Sequence, residues 1–372
     1  MPNEQGSNGP VANAYIAALP AYNAGMSAAQ ARHFHPVGPI AALASNENPF
    51  GFSPMVAQAL VEGLPELSRY SDSTASTLRA ALAAHTGVTA ELIVVGNGSE
   101  ELIGAIARAF LRPGQEVLTV TPSFGLHEIE PLAMGALVRK VPLTADMRSD
   151  IDALIAALSR KPAIFFLPTP SNPAGCAVDA DGMRRLLGAC PDETLFVIDE
   201  AYFEFADEDC QQGLRLLLDS GRHGVVLRTF SKAYGLAGLR VGYGLCTHVR
   251  IPKLLSAATT PFHVNAAAQK AATAALADQD WMLGCVVQLK QELRRMCARL
   301  EESSVVFAPS QANFVFVNVR DNADKVARHL LAEGVIVKPW RENGYDNWIR
   351  VSIGTEAENA QFIAAFMSIE SR

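Results

Sequence analysis

Five short, mainly apolar runs punctuate the chain, at Leu92–Val95, Glu116–Val120, Ala163–Leu167, Leu195–Ile198 and Val225–Leu227, and polar residues or turn formers close each of them. Runs of this length with so little alternation read as strands buried on both faces. Helical patterns separate them; Leu102, Ile103, Ile106, Ala107 and Phe110, for example, recur at helical spacing. Strands alternating with helices imply a parallel sheet covered on both sides. Ligands of such sheets collect beyond the carboxyl ends of the strands. The polar clusters that close the runs are therefore where chemistry is expected.

After Val264 the pattern changes. Helical Ala266–Ala277 and a long amphipathic run from Trp281 to about Glu302 precede strand-like Phe314–Val317, helical Ala323–Ala332, and strands at Gly334–Lys338 and Trp348–Ile353. A final helix follows Thr355 and Glu356. The thinner, alternating strands point to a smaller α+β domain. The expected division is an N-terminal segment 1–45, a large domain 46–265 and a small domain 266–372, joined by the long helix, with residues Met1 to about Ala12 an unordered start and the rest of the segment reaching the small domain and the site entrance. A chain of 372 residues with 49% hydrophobic content can bury a large core. Its net charge of −7 argues against nucleic acid as a partner. The six cysteines have no C-x-x-C or zinc spacing, so reduced thiols and no metal site are expected. No apolar run approaches the roughly 18 residues that span a bilayer, and Arg32 is the first basic residue. The expectation is a cytoplasmic protein with no membrane partner.

The densest chemistry lies in Arg228–Gly242, directly after the last apolar run. Lys232, between Ser231 and Ala233, is placed to lose hydration, which lowers a lysine pKa and makes it a nucleophile able to form a Schiff base. Arg240, with the Thr229 and Ser231 hydroxyls, can hold a phosphate. An imine-forming lysine beside a phosphate site suggests pyridoxal phosphate; a surface lysine with glycine turns is the competing account. Gly96-Asn-Gly-Ser-Glu100 sets a glycine turn between a strand and a helix, where the N–H groups of Gly98, Ser99 and Glu100 and the helix dipole favour an anion. The dipole contributes at most ~2 kcal/mol, so the arginine is needed as well. An ordinary strand-to-helix turn is the alternative there.

Other strand ends offer further candidates. Asp199 closes one run, with Tyr202 just beyond, and a simple turn aspartate is its other reading. Phe124 follows a strand and can stack on a flat ring or simply pack on the sheet. The prolines of Pro168–Gly175 hold Asn172 in an extended loop. Ala44–Gly51, which contains Asn48, is a loop rich in side-chain amides. Tyr22 reads first as a half-buried packing residue, and His85 and His127 as structural or exposed.

Together these motifs resemble fold-type I pyridoxal-phosphate aminotransferases, most closely the histidinol-phosphate aminotransferase family. The likeness runs from about Leu19 to the end. It is carried by Leu43–Pro49, Arg69-Tyr70, Gly96–Ile103, Pro170–Gly175, Asp199–Tyr202, Arg228–Arg240 and Arg350–Thr355. The resemblance implies an aspartate-aminotransferase-like α/β fold with a mostly parallel, doubly covered sheet that binds pyridoxal 5'-phosphate. By the same resemblance Lys232 bonds the cofactor and shuttles a proton, Asp199 pairs with the ring nitrogen, and Tyr202 and Asn172 bond its phenolic oxygen. Phe124 stacks on the ring, and Gly98, Ser99, Glu100, Ser231 and Arg240, with Thr229 beside them, hold the phosphate. Tyr70 reaches that phosphate from a second subunit, so a homodimer with a shared site is implied. Tyr22, Asn48, Asn172, Lys338 and Arg350 are the substrate-side candidates.

Two departures bear on the substrate. Tyr22-Asn-Ala-Gly-Met26 replaces the family's Tyr-x-Pro-Gly-Lys, and Lys338 stands where an arginine is expected. Lysine keeps the charge but lacks the planar fork, and a charge-assisted contact is worth about 1.5–3 kcal/mol. The expected activity is ping-pong transfer from an amino donor to a 2-oxo acid, with histidinol phosphate and 2-oxoglutarate as the leading pair. An aromatic or other amino acid aminotransferase, a decarboxylase such as threonine-phosphate decarboxylase, and a non-catalytic pyridoxal-phosphate-sensing regulator are the alternatives.

Overall fold

The computed structural model describes residues 10–35 and 37–370. Most of the expected unordered start, residues 1–9, lies outside the described residues. The principal sheet has seven strands: β2 (Ile93–Gly96), β3 (Glu116–Thr121), β4 (Leu137–Pro142), β5 (Ile164–Pro168), β6 (Leu195–Asp199), β7 (Gly224–Thr229) and β8 (Gly242–Cys246). β1 (Ala41–Ala42) lies outside it. The spatial order is β2-β8-β7-β6-β5-β3-β4, and β8 runs antiparallel to both of its neighbours.

Every residue of β5, β6 and β7 is buried. Successive side chains alternate between the faces, as the pleat requires. Phe165, Leu167, Phe196 and Ile198 pack into one core, and Ile164, Phe166, Leu195 and Val197 into the other. A core on each side is what makes the runs apolar without alternation.

Two strands of this sheet carry no such run. β4 is an edge strand with Arg139 and Lys140 in its middle, and much of it is only half-buried. β8 contains Gly242 and Gly244. A Cβ on Gly242 would stand 2.5 Å from the Ser99 nitrogen, so only glycine lets this strand pass the start of the helix Gly98–Phe110.

The C-terminal strands are β9 (Phe307–Ala308), β10 (Phe314–Asn318), β11 (Val335–Ile336), β12 (Lys338–Pro339) and β13 (Trp348–Ser352). Four of them form an antiparallel sheet in the order β12-β13-β10-β9. The strand expected over Gly334–Lys338 is divided. β11 pairs in parallel with β1, whereas β12 pairs with β13, so the chain changes sheets at Val337. That change sets Lys338 directly opposite Arg350. The helix Gln279–Glu302 starts two residues before the expected Trp281, because Asp278 caps it by accepting from the Trp281 N–H. It is tied to the C-terminal helix by Asn359, whose amide donates to Glu292 Oε2 at 3.0 Å. Among the described residues no helix is long and apolar enough to cross a membrane.

Candidate active site

A cavity of about 350 Å³ opens beyond the carboxyl ends of β5, β6 and β7. Lys232, Asp199 and Arg240 all line it, although they come from separate strand ends and loops. Tyr22, Ser99, Glu100, Phe124, Asn172, Tyr202, Thr229, Ser231, Lys338 and Arg350 line it as well. Gly98 stands behind the wall, against the Arg240 guanidinium. Two sequence candidates lie elsewhere. The Asn48 amide is consumed locally, donating to the Ala233 carbonyl at 2.9 Å and accepting from the Phe50 N–H at 3.0 Å. Tyr70 is 84% exposed and stacks on Phe262 with ring centroids 4.7 Å apart.

One end of the cavity is built for an anion. The helix Gly98–Phe110 has no side-chain cap, so its first N–H groups have no side-chain acceptor there. Gly98 adopts φ +77°, and a Cβ there would meet Arg240 Nη2 at 2.7 Å. Arg240 is itself left-handed, with φ 57°, which turns its guanidinium back over the helix start. Its Nη1 donates to the Ala237 carbonyl at 3.0 Å and its Nη2 to Glu100 Oε2 at 2.8 Å. Thr229 Oγ1 lies 3.0 Å from Ser231 Oγ and accepts from the Ser231 N–H at 3.1 Å. Unfilled N–H groups, two hydroxyls and a guanidinium form a donor set that suits a phosphate.

Lys232 holds the centre. Its Nζ donates to the Ser45 carbonyl at 3.0 Å, and no carboxylate forms an ion pair with it among the described residues. Burial, and then the Arg350 charge, push its pKa down to about 8. The amine is therefore partly neutral near physiological pH. Tyr202 lies alongside, its ring centroid 6.0 Å from Nζ. The Tyr202 hydroxyl accepts from Asn46 Nδ2 at 2.9 Å, so its own proton is free to donate into the cavity. Burial raises the phenol to about 12, so it stays protonated.

At the other end Asp199 closes β6. Its Oδ1 accepts from the Ala201 N–H at 3.1 Å, and its Oδ2 lies 3.0 Å from His127 Nε2. His127 is fully buried and stacked on Phe166, with centroids 5.0 Å apart and planes 10° from parallel. Its Nδ1 lies 3.3 Å from Ser123 Oγ. Of the structural-or-exposed reading of His127, the structure keeps the first half: the ring is buried and lies in hydrogen-bond contact with the acid that closes β6. A buried acid facing the cavity suits a protonated ring nitrogen. With the phosphate cradle at the far end and an amine between them, the residues present fit pyridoxal phosphate.

The remaining wall is cationic. Lys338 and Arg350 are both buried and are cross-strand partners on β12 and β13. Among the described residues Arg350 bonds only neutral acceptors, Asn172 Oδ1 at 2.7 Å and the Ala44 carbonyl at 2.5 Å, and its Nε is buried with no partner. Lys338 Nζ sits 5.6 Å from the Tyr22 ring and 5.6 Å from the Trp340 ring. Burial, then Arg350 and Lys232, lower its pKa to about 7. No carboxylate pairs with either cation among the described residues.

A seven-stranded sheet of this topology, with the amine, the acid and the phosphate cradle at its strand ends, defines a fold-type I pyridoxal-phosphate enzyme. The model of the family described as aminotransferase class I and II matches residues 39–366. The chain belongs to that family and is a pyridoxal-phosphate-dependent transaminase. Histidinol-phosphate aminotransferase 1 of Mesorhizobium japonicum is 43% identical to it, covering 94% of this chain and 95% of the relative. Histidinol-phosphate aminotransferase 3 of Rhizobium meliloti is 41% identical, covering 96% of each. The crystal structure of the histidinol-phosphate aminotransferase from Sinorhizobium meliloti in complex with pyridoxal-5'-phosphate superposes with a TM-score of 0.87 at 28% identity, covering 96% of this chain and 97% of that one.

Proposed function

We propose that this enzyme moves the amino group of histidinol phosphate to 2-oxoglutarate, working as a homodimer with shared sites. The observation that carries the substrate is the Lys338–Arg350 pair. Two like charges directly opposite on neighbouring strands repel, and burial makes them costlier. A phosphate dianion between them would relieve both costs. Histidinol phosphate offers that dianion and has no α-carboxylate, whereas 2-oxoglutarate would present a carboxylate to the same Arg350. The curated relatives named as histidinol-phosphate aminotransferases support the same choice.

Pyridoxal phosphate, when bound, supplies an electrophilic carbonyl that accepts the amino group and a ring that takes up the charge developing beside it. Gly98, Ser99 and Glu100 would hold its phosphate through their N–H groups, and Thr229, Ser231 and Arg240 through their side chains. Asp199, fixed by His127, would keep a proton on the ring nitrogen. Tyr202 and Asn172 would bond the phenolic oxygen, and Phe124 would cover one ring face. Lys232 Nζ, neutral in part because it is buried, takes the proton from the substrate carbon and returns it. Tyr22, T-shaped to Phe124 with centroids 6.3 Å apart, closes the substrate side. The partner subunit would bring a second Tyr70 to the phosphate.

The test is glutamate formation from 2-oxoglutarate with a panel of amino donors. Histidinol phosphate should give the highest kcat/KM. Higher turnover of an aromatic amino acid would replace the proposal with that activity, for which Arg350 would hold the α-carboxylate. Carbon dioxide release without glutamate would replace it with a decarboxylase.

A further inference from the structure

Glu342 lies on the loop after β12, close behind Lys338 and Trp340, and its carboxylate gathers four donors. Its Oε1 accepts from Thr121 Oγ1 at 2.7 Å and Lys140 Nζ at 3.2 Å, and its Oε2 accepts from the Ser123 N–H at 3.2 Å and Trp340 Nε1 at 3.2 Å. These donors belong to three parts of the fold. Thr121 ends β3 and Ser123 lies on the turn that leaves it; Lys140 stands on β4; Trp340 is on the same loop as Glu342. The Tyr345 hydroxyl adds a bond from that loop to the Thr121 carbonyl at 3.4 Å. The C-terminal loop is thus pinned to the turn after β3.

That turn carries the residues that face the ring. Phe124 lines the cavity directly. Ser123 Oγ lies 3.3 Å from His127 Nδ1, and His127 Nε2 lies 3.0 Å from Asp199. Glu342 thus holds the Ser123 backbone, and the hydroxyl of the same residue meets His127, which in turn meets the acid of the site. On the other side of Glu342, the Trp340 ring that donates to it is also 5.6 Å from Lys338 Nζ. One carboxylate joins the loop bearing the substrate-side cation to the turn bearing the cofactor-side aromatic and histidine.

We propose that Glu342 is a positioning residue that sets the Thr121–His127 turn, so that His127 aligns Asp199 and Phe124 faces the ring, and that it couples the Lys338 end of the cavity to the cofactor end. The chemistry favours a carboxylate here. All four partners are donors, and an amide in its place would turn one N–H₂ group towards them. A partly satisfied network of this kind loses its geometry as well as its bonds. The proposal rests on the cofactor placement given above.

The test uses holoenzyme carrying Glu342→Gln, Ser123→Ala or both. Ser123→Ala keeps the backbone N–H that Glu342 receives and removes only the hydroxyl facing His127. The readouts are the dissociation constant for pyridoxal phosphate, the visible circular dichroism of the bound cofactor, and kcat and KM separately. Glu342→Gln should weaken cofactor binding about tenfold, the scale of one lost charge-assisted hydrogen bond. It should also change the visible dichroic band and lower kcat more than it raises KM. The double variant should be no worse than Glu342→Gln alone, because both changes break one path. A lower melting temperature with an unchanged band and unchanged cofactor affinity would overturn the proposal, and so would multiplicative effects of the two changes. If Glu342→Gln fails to fold, Thr121→Val removes a single donor and carries the same readouts. A wild-type protein with no visible band would instead refute the cofactor placement itself, which separates the two failures.

Discussion

Glu100 Oε2 accepts a hydrogen bond from Arg240 Nη2 at 2.8 Å, at the mouth of the phosphate cradle. A carboxylate thus occupies part of the guanidinium fork that the cofactor phosphate would use. Both side chains are well exposed, so the pair contributes only about 0–1 kcal/mol. Glu100→Gln removes the competing charge and leaves the backbone N–H in place. Affinity for pyridoxal phosphate should therefore rise, by up to about fivefold on that scale. Equilibrium titration of the apoprotein, followed by fluorescence, measures this; weaker binding would show that the Glu100 carboxylate assists the cradle.

Lys338 provides a pH prediction. Its pKa is lowered to about 7 by burial and by the Arg350 and Lys232 charges, with Glu100 opposing and the Tyr22 and Trp340 rings flanking it. A lowered lysine pKa means the cation is present below about 7 and is lost as pH rises through that value. Affinity for a phosphate-bearing donor should fall over the same interval. Arginine does not lose its proton there, so Lys338→Arg should flatten the dependence. KM for histidinol phosphate between pH 6 and pH 8.5, a range of about one unit or more on either side of the shifted lysine, checks both statements. Identical pH profiles for the two proteins would remove Lys338 from the substrate site.

The chemistry at the strand ends was legible because it follows from the burial pattern. Asp199 closes the apolar run of β6 and Lys232 stands three residues past the end of β7, and the parallel pairing of those two strands brings their ends together. Arg240, on the loop just before β8, was legible only as a cation in the same Arg228–Gly242 motif. His127 carried no such mark. It sits inside a short helix, and its partner Asp199 is 72 residues away in the sequence, so only the fold relates them. The amide-rich loop was legible as a loop, but not for which amide faces inward. Asn46, with φ 54°, bonds Tyr202, whereas Asn48 turns to Ala233. The break at Val337 was hidden for a similar reason. Both halves of Gly334–Lys338 have strand composition, and only their partners differ.

Exposed apolar side chains argue for a second copy of the chain. Phe52, Met55, Leu64, Leu67 and Tyr70 are each more than two-fifths exposed, and Phe262 lies under Tyr70. Large apolar side chains left exposed along one stretch of the chain, with Tyr70 stacked on Phe262, fit a surface that becomes covered. Sedimentation should give a dimer. If Tyr70 acts across it, mixing Tyr70→Ala with Lys232→Ala subunits should restore turnover, because one site of each mixed dimer then carries both wild-type residues. Random exchange in a two-fold dimer predicts recovery of about a quarter of wild-type activity. No recovery after verified subunit exchange would place Tyr70 outside the site.

Beneath the cavity, Arg228 Nε donates to Glu200 Oε2 at 2.8 Å with both side chains buried. The guanidinium carbon lies 3.4 Å from the Phe203 ring centroid. These two residues adjoin Thr229 and Asp199 on β7 and β6, so the pair locks together the strand ends that bear the site. Removing one partner leaves the other buried and uncompensated, at a cost of about 3–5 kcal/mol. Arg228→Met should therefore be destabilised by that amount in urea unfolding. The pH dependence has a definite sign. Burial already raises the Glu200 pKa above its ordinary value, against the pull of Arg228. Without Arg228 it would rise further. A raised carboxylate pKa favours the folded state where the group is protonated, and this advantage is lost as pH climbs through the folded value. The deficit of Arg228→Met should thus be smaller near the acid end of the accessible range and grow towards neutral and alkaline pH. Glu200→Gln leaves no ionisable group at that position and should not show the same growth. Equal deficits for Arg228→Met at all pH values would mean that Glu200 is neutralised by some other group.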